Sequence, residues 1–251
     1  AGIALYLLFL DEEPGAEVYS AAVDREQAAI VFELAKQMVE ASPALLKRGE
    51  GYRRSIVVPS SASSYKVLSA DVPAKYGLNA HGIIFDELHA QPNRELWDVL
   101  TTSTGARQQP LVVAITTAGY DRNSICWEQH DYAEKVLNKV IDDPSFFAYI
   151  IGAREDEDWR DFKTLKRVNL GLGTTITEDY LKTELKRAIQ IPAYENTFKR
   201  LHLDLWTQQE TRWLPLEAWD ETAGTVDSEK LKSRACYAGL DLASTVDIAA
   251  L

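Results

Sequence analysis

The sequence contains few cysteines and no long uninterrupted apolar segment. Its two cysteines, Cys126 and Cys236, are far apart and form no C-x-x-C pair, so neither a disulfide framework nor a zinc site is indicated. The most apolar stretch, residues 1–10, is half the length of a membrane helix, which needs about 20 residues, and it lacks the basic start of a signal peptide. We therefore expect a protein that is not secreted, does not contact a membrane and lies in the cytoplasm.

Positive charge is also scarce, because 27 Lys and Arg residues oppose 38 Asp and Glu residues, for a net charge of −11. This excess of acidic residues argues against nucleic-acid binding if the charge is spread evenly over the protein surface, since affinity for phosphates comes from Lys and Arg. Net charge, however, governs solubility more than it locates a site. Two basic clusters are candidates either for DNA contacts or for ordinary solvated surface. They comprise Lys47, Arg48, Arg53 and Arg54, and Lys182, Lys186 and Arg187.

An apolar run that ends in two carboxylates is the most informative motif. Residues 82–87 (GIIFDE) predict a buried parallel strand, because such strands are near-continuous hydrophobic runs. Ligands of open α/β sheets bind at the carboxyl ends of the strands, so Asp86 and Glu87 would lie where P-loop ATPases hold their Mg²⁺-nucleotide. Asp86 would hold the Mg²⁺, and Glu87 would orient or deprotonate the attacking water. The alternative is a strand that leaves the core into a polar turn.

A second apolar run, residues 111–119 (LVVAITTAG), follows a helix-like segment and ends in hydroxyls and a glycine. Strand, helix and strand in this order are typical of a βαβ unit. Thr116 and Thr117 would then lie beside the acid pair and sense the γ-phosphate, or they would merely cap a turn. Arg107 would reach a phosphate as an arginine finger, or would be a solvated turn residue. His89 suggests metal binding by its position, although a lone histidine is more often an ordinary polar contact.

The glycine-rich phosphate loop of these ATPases, G-x-x-x-x-G-K-[ST], is missing, since no Gly-Lys dipeptide occurs in the sequence. Residues 171–175 (GLGTT) contain no lysine and are a weak loop signal. Residues 1–10 predict a buried helix with no N-cap before it. We therefore expect that the sequence begins inside the helix that follows such a loop, and that it is a fragment.

Eight short motifs also occur in a fixed order along the chain. They are residues 27–29 (QAA), 82–90 (GIIFDELHA), 105–111 (GARQQPL), 115–120 (ITTAGY), 196–198 (NTF), 205–208 (LWTQ), 213–215 (WLP) and 239–244 (GLDLAS). The ordered series resembles the large terminase subunits of tailed bacteriophages over essentially the whole chain. The resemblance implies an α/β fold, with a RecA-like P-loop ATPase parallel sheet and flanking helices, a small helical lid, and the first strands of an RNase H-like nuclease.

The resemblance implies a motor subunit in which ATP hydrolysis drives double-stranded DNA into a procapsid, and a metal-dependent endonuclease that cuts concatemeric DNA. Asp86 matches the Mg²⁺-binding acid, Glu87 the catalytic base, and Thr116 and Thr117 the motif that couples hydrolysis to motion. Asp241 matches the first metal-binding carboxylate of the nuclease.

Asp247, six residues after Asp241, would approach the same nuclease site from the paired strand. Two-metal cleavage requires several such carboxylates. The implied cofactors are ATP with Mg²⁺ for the ATPase, and Mg²⁺ or Mn²⁺ for the nuclease.

The implied partners are double-stranded DNA, a portal protein, a small terminase subunit and further copies of the chain, in a ring that resembles a pentamer. The implied location is the host bacterial cytoplasm, at the portal of the procapsid. Two alternatives stay open: another DNA-translocating P-loop ATPase such as a helicase, and, for the chain as given, a non-catalytic assembly module. The module remains open because the sequence carries neither a phosphate loop nor a complete nuclease site.

The predicted organisation has four parts, namely an ATPase core at 1–152, a helical lid or linker at 153–207, a connector at 208–234 and the start of the nuclease at 235–251. The predicted strands are 17–22, 56–58, 65–68, 82–87, 111–119 and 146–151. The predicted helices are 25–41, 127–140, 178–189 and 194–205, the first with a capping box at 24–27.

Overall fold

The structure is a computed structural model that describes residues 1–69, 77–208, 221–224, 232 and 235. Strands β1–β6 are Glu17–Ala22, Glu50–Gly51, Ser55–Val58, Ser63–Ser69, Ala80–Asp86 and Leu111–Ile115. Helices α1–α8 are Gly2–Phe9, Arg25–Glu40, Pro43–Leu46, Glu95–Thr102, Ile125–Leu137, Phe162–Val168, Glu178–Gln190 and Pro192–Leu203. One 3₁₀ helix, Leu88–Ala90, follows β5 directly.

The six strands form one mainly parallel sheet in the order β2-β3-β4-β1-β5-β6. Strands β4, β1, β5 and β6 run parallel, and β3 is antiparallel to both β2 and β4. In the register of the last pair, Asp86 of β5 lies opposite Ile115 of β6. The carboxyl ends of β1, β5 and β6 therefore meet at one edge of the sheet, as the sequence predicts.

Helices cover both faces of this sheet, because alternate residues of its buried strands point to opposite sides. Val18 and Ile84 belong to a core cluster with residues of α1 and α2. Tyr19 and Phe85, the next residues along each strand, belong to a second cluster with residues of α4 and α5. The result is a three-layer α/β arrangement, in agreement with the predicted fold class.

Helix α1 packs closely on β5 because position 82 has no side chain. A Cβ atom at Gly82 would lie 2.6 Å from Leu7 Cδ1 and 3.2 Å from Val18 Cγ1. Glycine therefore serves here as a place for close approach rather than for an unusual backbone angle. At the carboxyl end of α1, the backbone carbonyl of Phe9 has no partner within the helix and accepts a hydrogen bond from the Arg48 guanidinium.

Helix α2 begins and ends within one residue of its prediction. The Asp24 carboxylate accepts a hydrogen bond of 2.8 Å from the backbone N–H of Gln27, which confirms the predicted N-cap. Its inner face places Phe32, fully buried, edge-on against Tyr65 of β4 with ring centroids 5.3 Å apart. The Tyr65 hydroxyl contacts the Ser20 hydroxyl, and burial raises the pKa of Tyr65 to about 12.

Helices α6, α7 and α8 form a third core cluster of their own around Leu165, Ala188 and Phe198. The predicted helices at 178–189 and 194–205 correspond to α7 and α8, whereas α6 was not predicted. Thr177 caps α7 by accepting a hydrogen bond from the N–H of Tyr180.

The predicted strand at 146–151 is wrong. These residues belong to no strand, and the side chains of Phe147 and Tyr149 are 89% and 72% exposed. The continuous apolar run is suited to a buried strand, but a strand also needs a neighbouring backbone edge. Although β6 is the last strand of the described sheet, residues 146–150 line a cavity beside it rather than pairing with it.

By its contacts the chain divides into residues 1–213 and 214–251. All the elements named above belong to the first unit. The boundaries predicted at 152, 207 and 234 stay predictions. Among the described residues, none of the helices has the length and apolar character required to cross a membrane.

The first prediction concerns the core beneath α2. Phe32→Ala should lower the free energy of unfolding by about 3–5 kcal/mol, because it removes a fully buried ring and leaves a cavity against Tyr65. Ile30→Ala on the same helix is the matched control, since Ile30 is 61% exposed, and should change stability by no more than about 0.5 kcal/mol. Urea unfolding of both variants checks this, and equal losses would contradict the described packing of α2.

Candidate active site

Four polar residues meet at the carboxyl edge of the sheet. Asp86 is the last residue of β5 and Glu87 follows it, while Thr116 and Thr117 follow the last residue of β6. Since β5 and β6 are parallel neighbours in register, the two acids and the two hydroxyls leave the sheet side by side. The structure thus brings together the residues that sequence reasoning assigned to one site.

The two adjacent carboxylates have opposite pKa shifts. Burial raises the pKa of Asp86, and the negative charge of Glu87 raises it further. The backbone nitrogen of Ala1 lies within electrostatic range of Asp86, so the amino end of α1 lies near the same edge. The amino end of a helix favours anions, because its N–H groups and its dipole point toward them.

Glu87 has a left-handed backbone conformation, with φ 50° and ψ 56°, which is uncommon for a residue other than glycine. Its Oε2 atom lies 3.1 Å from Nδ1 of His89. This oxygen is buried, and no donor among the described residues is well aligned with it, so the contact is a close approach of the imidazole to the carboxylate rather than a directed hydrogen bond. The contact with His89 lowers the pKa of Glu87, although burial opposes the effect.

His89 also contacts the tip of β6. Its backbone N–H donates to Thr116 Oγ1 at 3.0 Å, and its ring Nδ1 lies 3.1 Å from the same oxygen and 3.5 Å from Thr117 Oγ1. The Thr116 hydroxyl in turn donates to the carbonyl of Thr117 at 2.9 Å. One histidine therefore touches both the second acid and the hydroxyl tip.

Asp204, at the carboxyl end of α8, was not anticipated from the sequence. It too has a left-handed backbone, with φ 53°, and its Oδ1 accepts a hydrogen bond of 2.5 Å from the buried N–H of Ala118. Next to it, the ring of Trp206 packs on Gly119 so closely that a Cβ there would lie 3.0 Å from the ring. The available sequence signal was an acid directly before the LWTQ motif.

Three cavities bordered by described residues lie near the tip of β6, and the one lined by Thr116, Thr117 and the end of α8 is about 290 Å³ in volume. A second, of about 260 Å³, lies against β6 and residues 146–150, with Cys126 and Asp204 in its wall. Burial raises the pKa of the Cys126 thiol to about 11, so the thiol is protonated at neutral pH. The third, of about 460 Å³, lies between the 3₁₀ helix, residues 119–124 and α8.

The geometry gives Arg107 a structural role instead of a phosphate contact. Its guanidinium donates to the carbonyls of Asn79, Pro14 and Gly15 and lies 3.2 Å from the Glu13 carboxylate. These partners precede β1 and β5, so Arg107 lies at the opposite edge of the sheet from the acid pair. Its side chain is only 7% exposed, because the turns that begin two strands enclose it.

Other predicted residues are placed as follows. Arg48 and Arg187, one from each basic cluster, are engaged within the chain, with the Phe9 carbonyl and with the Tyr194 ring. Asp241 and Asp247 lie outside the described residues. The described part of the chain contains no group of three His, Cys, Asp or Glu side chains that could hold a metal.

Two family models match the chain. The model of the terminase large subunit ATPase domain matches residues 1–135, and that of the terminase large subunit endonuclease domain matches residues 140–251. The chain belongs to the terminase large subunit family. A match to the endonuclease domain decides against the helicase alternative. The mainly parallel sheet agrees with the P-loop NTPase fold of these ATPase domains.

Individual relatives agree with this assignment. The terminase large subunit of Enterobacteria phage HK97 is 30% identical in an alignment that covers 100% of this chain and 49% of that protein. Protein YmfN of Escherichia coli strain K12 is 28% identical, over 68% of this chain and 38% of that protein. The chain thus spans half or less of the length of these curated relatives.

Solved structures show the same fold. The crystal structure of the HK97 bacteriophage large terminase superposes with a TM-score of 0.72 at 27% identity, over 82% of this chain and 43% of that one. A mutant ATPase domain of the Thermus phage P74-26 large terminase gives a TM-score of 0.50 at 18% identity, over 81% of each chain. This second likeness concerns the fold alone.

The enclosure of Arg107 predicts a stability effect. Arg107→Ala should lower the free energy of unfolding by about 2–3 kcal/mol, because it leaves the Glu13 carboxylate and several carbonyls without their donor. Arg54→Ala, at an exposed position, should change it by no more than about 0.5 kcal/mol. Chemical denaturation of the two variants checks this. If Arg107→Ala has the same free energy of unfolding as the unsubstituted protein, the guanidinium is not held as described.

The buried position of Asp204 predicts a pH dependence. Burial raises the pKa of Asp204 above its ordinary value of 3.8, so the folded chain binds more protons than the unfolded chain just above that pH. The contribution of Asp204 to the free energy of unfolding therefore falls as the pH rises from 3.8 through the raised pKa of the folded state. Asp204→Asn keeps an acceptor for Ala118 N–H but cannot ionise.

The stability of Asp204→Asn relative to the unsubstituted protein should therefore increase between about pH 4 and about pH 7, measured as the difference in urea midpoints. Comparing the two proteins at each pH cancels the contributions of all other groups to first order. A difference that is the same at both pH values would mean that Asp204 titrates normally in the folded state.

Proposed function

We propose that this chain is part of the motor subunit that packages phage DNA. In this proposal ATP hydrolysis drives double-stranded DNA into a procapsid, and a metal-dependent endonuclease cuts concatemeric DNA. The observation that carries the proposal is the acid pair Asp86 and Glu87 at the carboxyl end of β5, beside the hydroxyl tip of β6 and near the amino end of α1. Family membership supports it.

The donors at this edge fit a magnesium nucleotide. Mg²⁺ in phosphate-transfer sites is held by one or two carboxylates together with the phosphates of the substrate, rather than by an all-protein cage. Asp86 supplies one such carboxylate, and the described residues provide no cage of three ligands. Bound there, Mg²⁺ would neutralise charge that develops on the phosphate oxygens. The adjacent amino end of α1 favours the same anionic group.

Glu87 is suited to act as the general base. Its pKa lies below the ordinary value of 4.5, so it is ionised at neutral pH, and one of its oxygens can orient the attacking water and accept its proton as the bond to phosphorus forms. As the water oxygen bonds to the γ-phosphorus, the bond from that phosphorus to the bridging oxygen breaks, and ADP leaves. Thr116 and Thr117 lie next to this carboxylate, where they would register whether the γ-phosphate is present and pass this on as motion.

The remaining parts of the proposal concern the whole protein. Asp241 and Asp247 would hold Mg²⁺ or Mn²⁺ for DNA cleavage. Double-stranded DNA, a portal protein, a small terminase subunit and further copies of the chain in a pentamer-like ring would be its partners, at the procapsid in the host cytoplasm. The similarity to the HK97 large subunit along the entire chain supports this set.

Replacing the proposed base tests the ATPase. In the full-length protein, Glu87→Gln should lower kcat for ATP about 10²- to 10⁴-fold, because the amide cannot accept the proton of the attacking water. KM should change little, since the substitution removes an interaction needed in the transition state. Steady-state phosphate release and equilibrium nucleotide binding measure the two effects.

The matched control is Glu95→Gln, which makes the same change at an exposed position in the first turn of α4. It should leave both kinetic parameters unchanged. Undiminished turnover in Glu87→Gln would show that Glu87 is not the catalytic base and would remove the proposed catalytic role of the acid pair.

A further inference from the structure

The contacts of His89 join two parts of the site that the sequence treats separately. Its Nδ1 atom lies 3.1 Å from Glu87 Oε2 and 3.1 Å from Thr116 Oγ1. Its own backbone N–H donates to the same threonine oxygen at 3.0 Å. Thr116 is exposed, whereas His89 and Glu87 are half-buried. The Thr116 hydroxyl also accepts a hydrogen bond of 3.7 Å from the buried Cys126 thiol.

The segment that carries His89 also stores strain. Glu87 is held at φ 50°, a left-handed conformation that is strained for a residue with a side chain. At the other end of the 3₁₀ helix, Gln91 is 6% exposed, and neither polar atom of its buried amide has a hydrogen-bond partner among the described residues. Buried polar groups are nearly always paired. Residues 87–91 therefore hold an arrangement that local interactions alone do not favour.

A strained segment can persist when tertiary contacts hold it, and it changes readily when one of them is lost. The contacts that hold residues 87–91 to β6 include those of His89 with Thr116 and Thr117. They also include a hydrogen bond from the Thr117 backbone to the Glu87 carboxylate. The tip of β6 is bound from its other side by Asp204 through the N–H of Ala118. A shift of the Glu87 carboxylate is thereby opposed by contacts that extend to the end of α8.

We propose that His89 is a positioning residue, which sets the direction of the Glu87 carboxylate and links it to the tip of β6. The proposal rests on the function proposed above, and it adds the residue through which the base and the coupling threonines act together. In this proposal the ring Nδ1 atom of His89 orients the carboxylate, because this atom faces both Glu87 Oε2 and Thr116 Oγ1.

Two substitutions separate the role of Nδ1 from that of the imidazole as a whole. The side-chain amide of asparagine places a nitrogen or oxygen where Nδ1 lies, while that of glutamine places it near the position of Nε2. His89→Asn should therefore retain contact with Glu87 and Thr116, and His89→Gln should lose it. Both variants are uncharged and similar in polarity, so that burial of the polar group is matched.

In the full-length protein, His89→Gln should lower kcat for ATP about 10- to 100-fold, as expected when a catalytic group is displaced by about 1 Å. KM should stay within about twofold, because substrate binding does not depend on the direction of Glu87. His89→Asn should restore kcat to within about threefold of the unsubstituted protein. A merely structural role would instead lower thermal stability in both variants and leave no such split between kcat and KM.

His130→Gln is the matched control. The His130 side chain is 20% exposed, close to the 24% of His89, and it lies on α5 with its ring against Trp127 and Trp206 rather than against Glu87. It should leave kcat and KM unchanged. A loss of kcat in His130→Gln as large as that in His89→Gln would overturn the specific role of His89.

Thr116→Val provides a second route that does not alter the buried histidine. It removes the exposed hydroxyl that faces Nδ1, should lower kcat with KM kept, and should add little to the effect of His89→Gln when the two are combined. Fully multiplicative effects in the double variant would overturn the proposed link. So would an unchanged kcat in His89→Gln, or equal losses in His89→Gln and His89→Asn.

The same assay distinguishes this inference from the function on which it rests. Normal turnover in Glu87→Gln would remove the proposed ATPase mechanism, and with it any base for His89 to position. A large loss in Glu87→Gln together with normal turnover in His89→Gln would leave the mechanism intact and overturn only the role of His89.

Discussion

The parallel pairing of β5 with β6 is the constraint on which the candidate site depends. Its register places Asp86 opposite Ile115, so the residues that follow each strand leave the sheet as neighbours. Because side chains alternate along a strand, a slip of one residue would turn the buried set of β5 outward. The buried alternation of Ile83, Ile84 and Phe85 fixes the register through packing on both faces. Hydrophobic burial in the core thus determines where two carboxylates stand at its edge.

The two acids at this edge have different surroundings, which give their pKa values opposite shifts. Asp86 keeps a raised pKa because it is partly buried beside a second carboxylate, whereas Glu87 has a lowered pKa because it turns toward His89. Pairs of titratable groups whose environments push their pKa values apart take different roles in catalysis. The turn itself depends on the left-handed backbone of Glu87, since it directs the side chain toward the tip of β6. Adjacent residues of one type thereby become chemically distinct.

Local patterns predicted much of this arrangement, and tertiary contacts decided the rest. Strand β5 and helix α2 were predictable because continuous hydrophobicity and an Asp24 N-cap are properties of short segments. The error at 146–151 arose because a strand also needs a partner backbone, and no pattern within the segment reveals one. The phosphate contact predicted for Arg107 was wrong, because a residue that precedes β6 lies at the amino ends of the parallel strands, opposite the acids. Asp204 makes its contact across 86 residues, beyond any local pattern.

The tip of β6 is held from two sides by chemically different contacts. On one side His89 donates its N–H to the Thr116 hydroxyl, and on the other Asp204 accepts the N–H of Ala118. Leaving the buried Ala118 N–H unpaired would cost about 1–3 kcal/mol, so the tip does not move away from α8 without a replacement acceptor. The contact to Thr116 is exposed and therefore weaker, because water can take its place. A tip bound firmly to α8 and loosely to the acid pair would follow α8 if the looser contact broke, which is the asymmetry that the proposed coupling role of Thr116 and Thr117 requires.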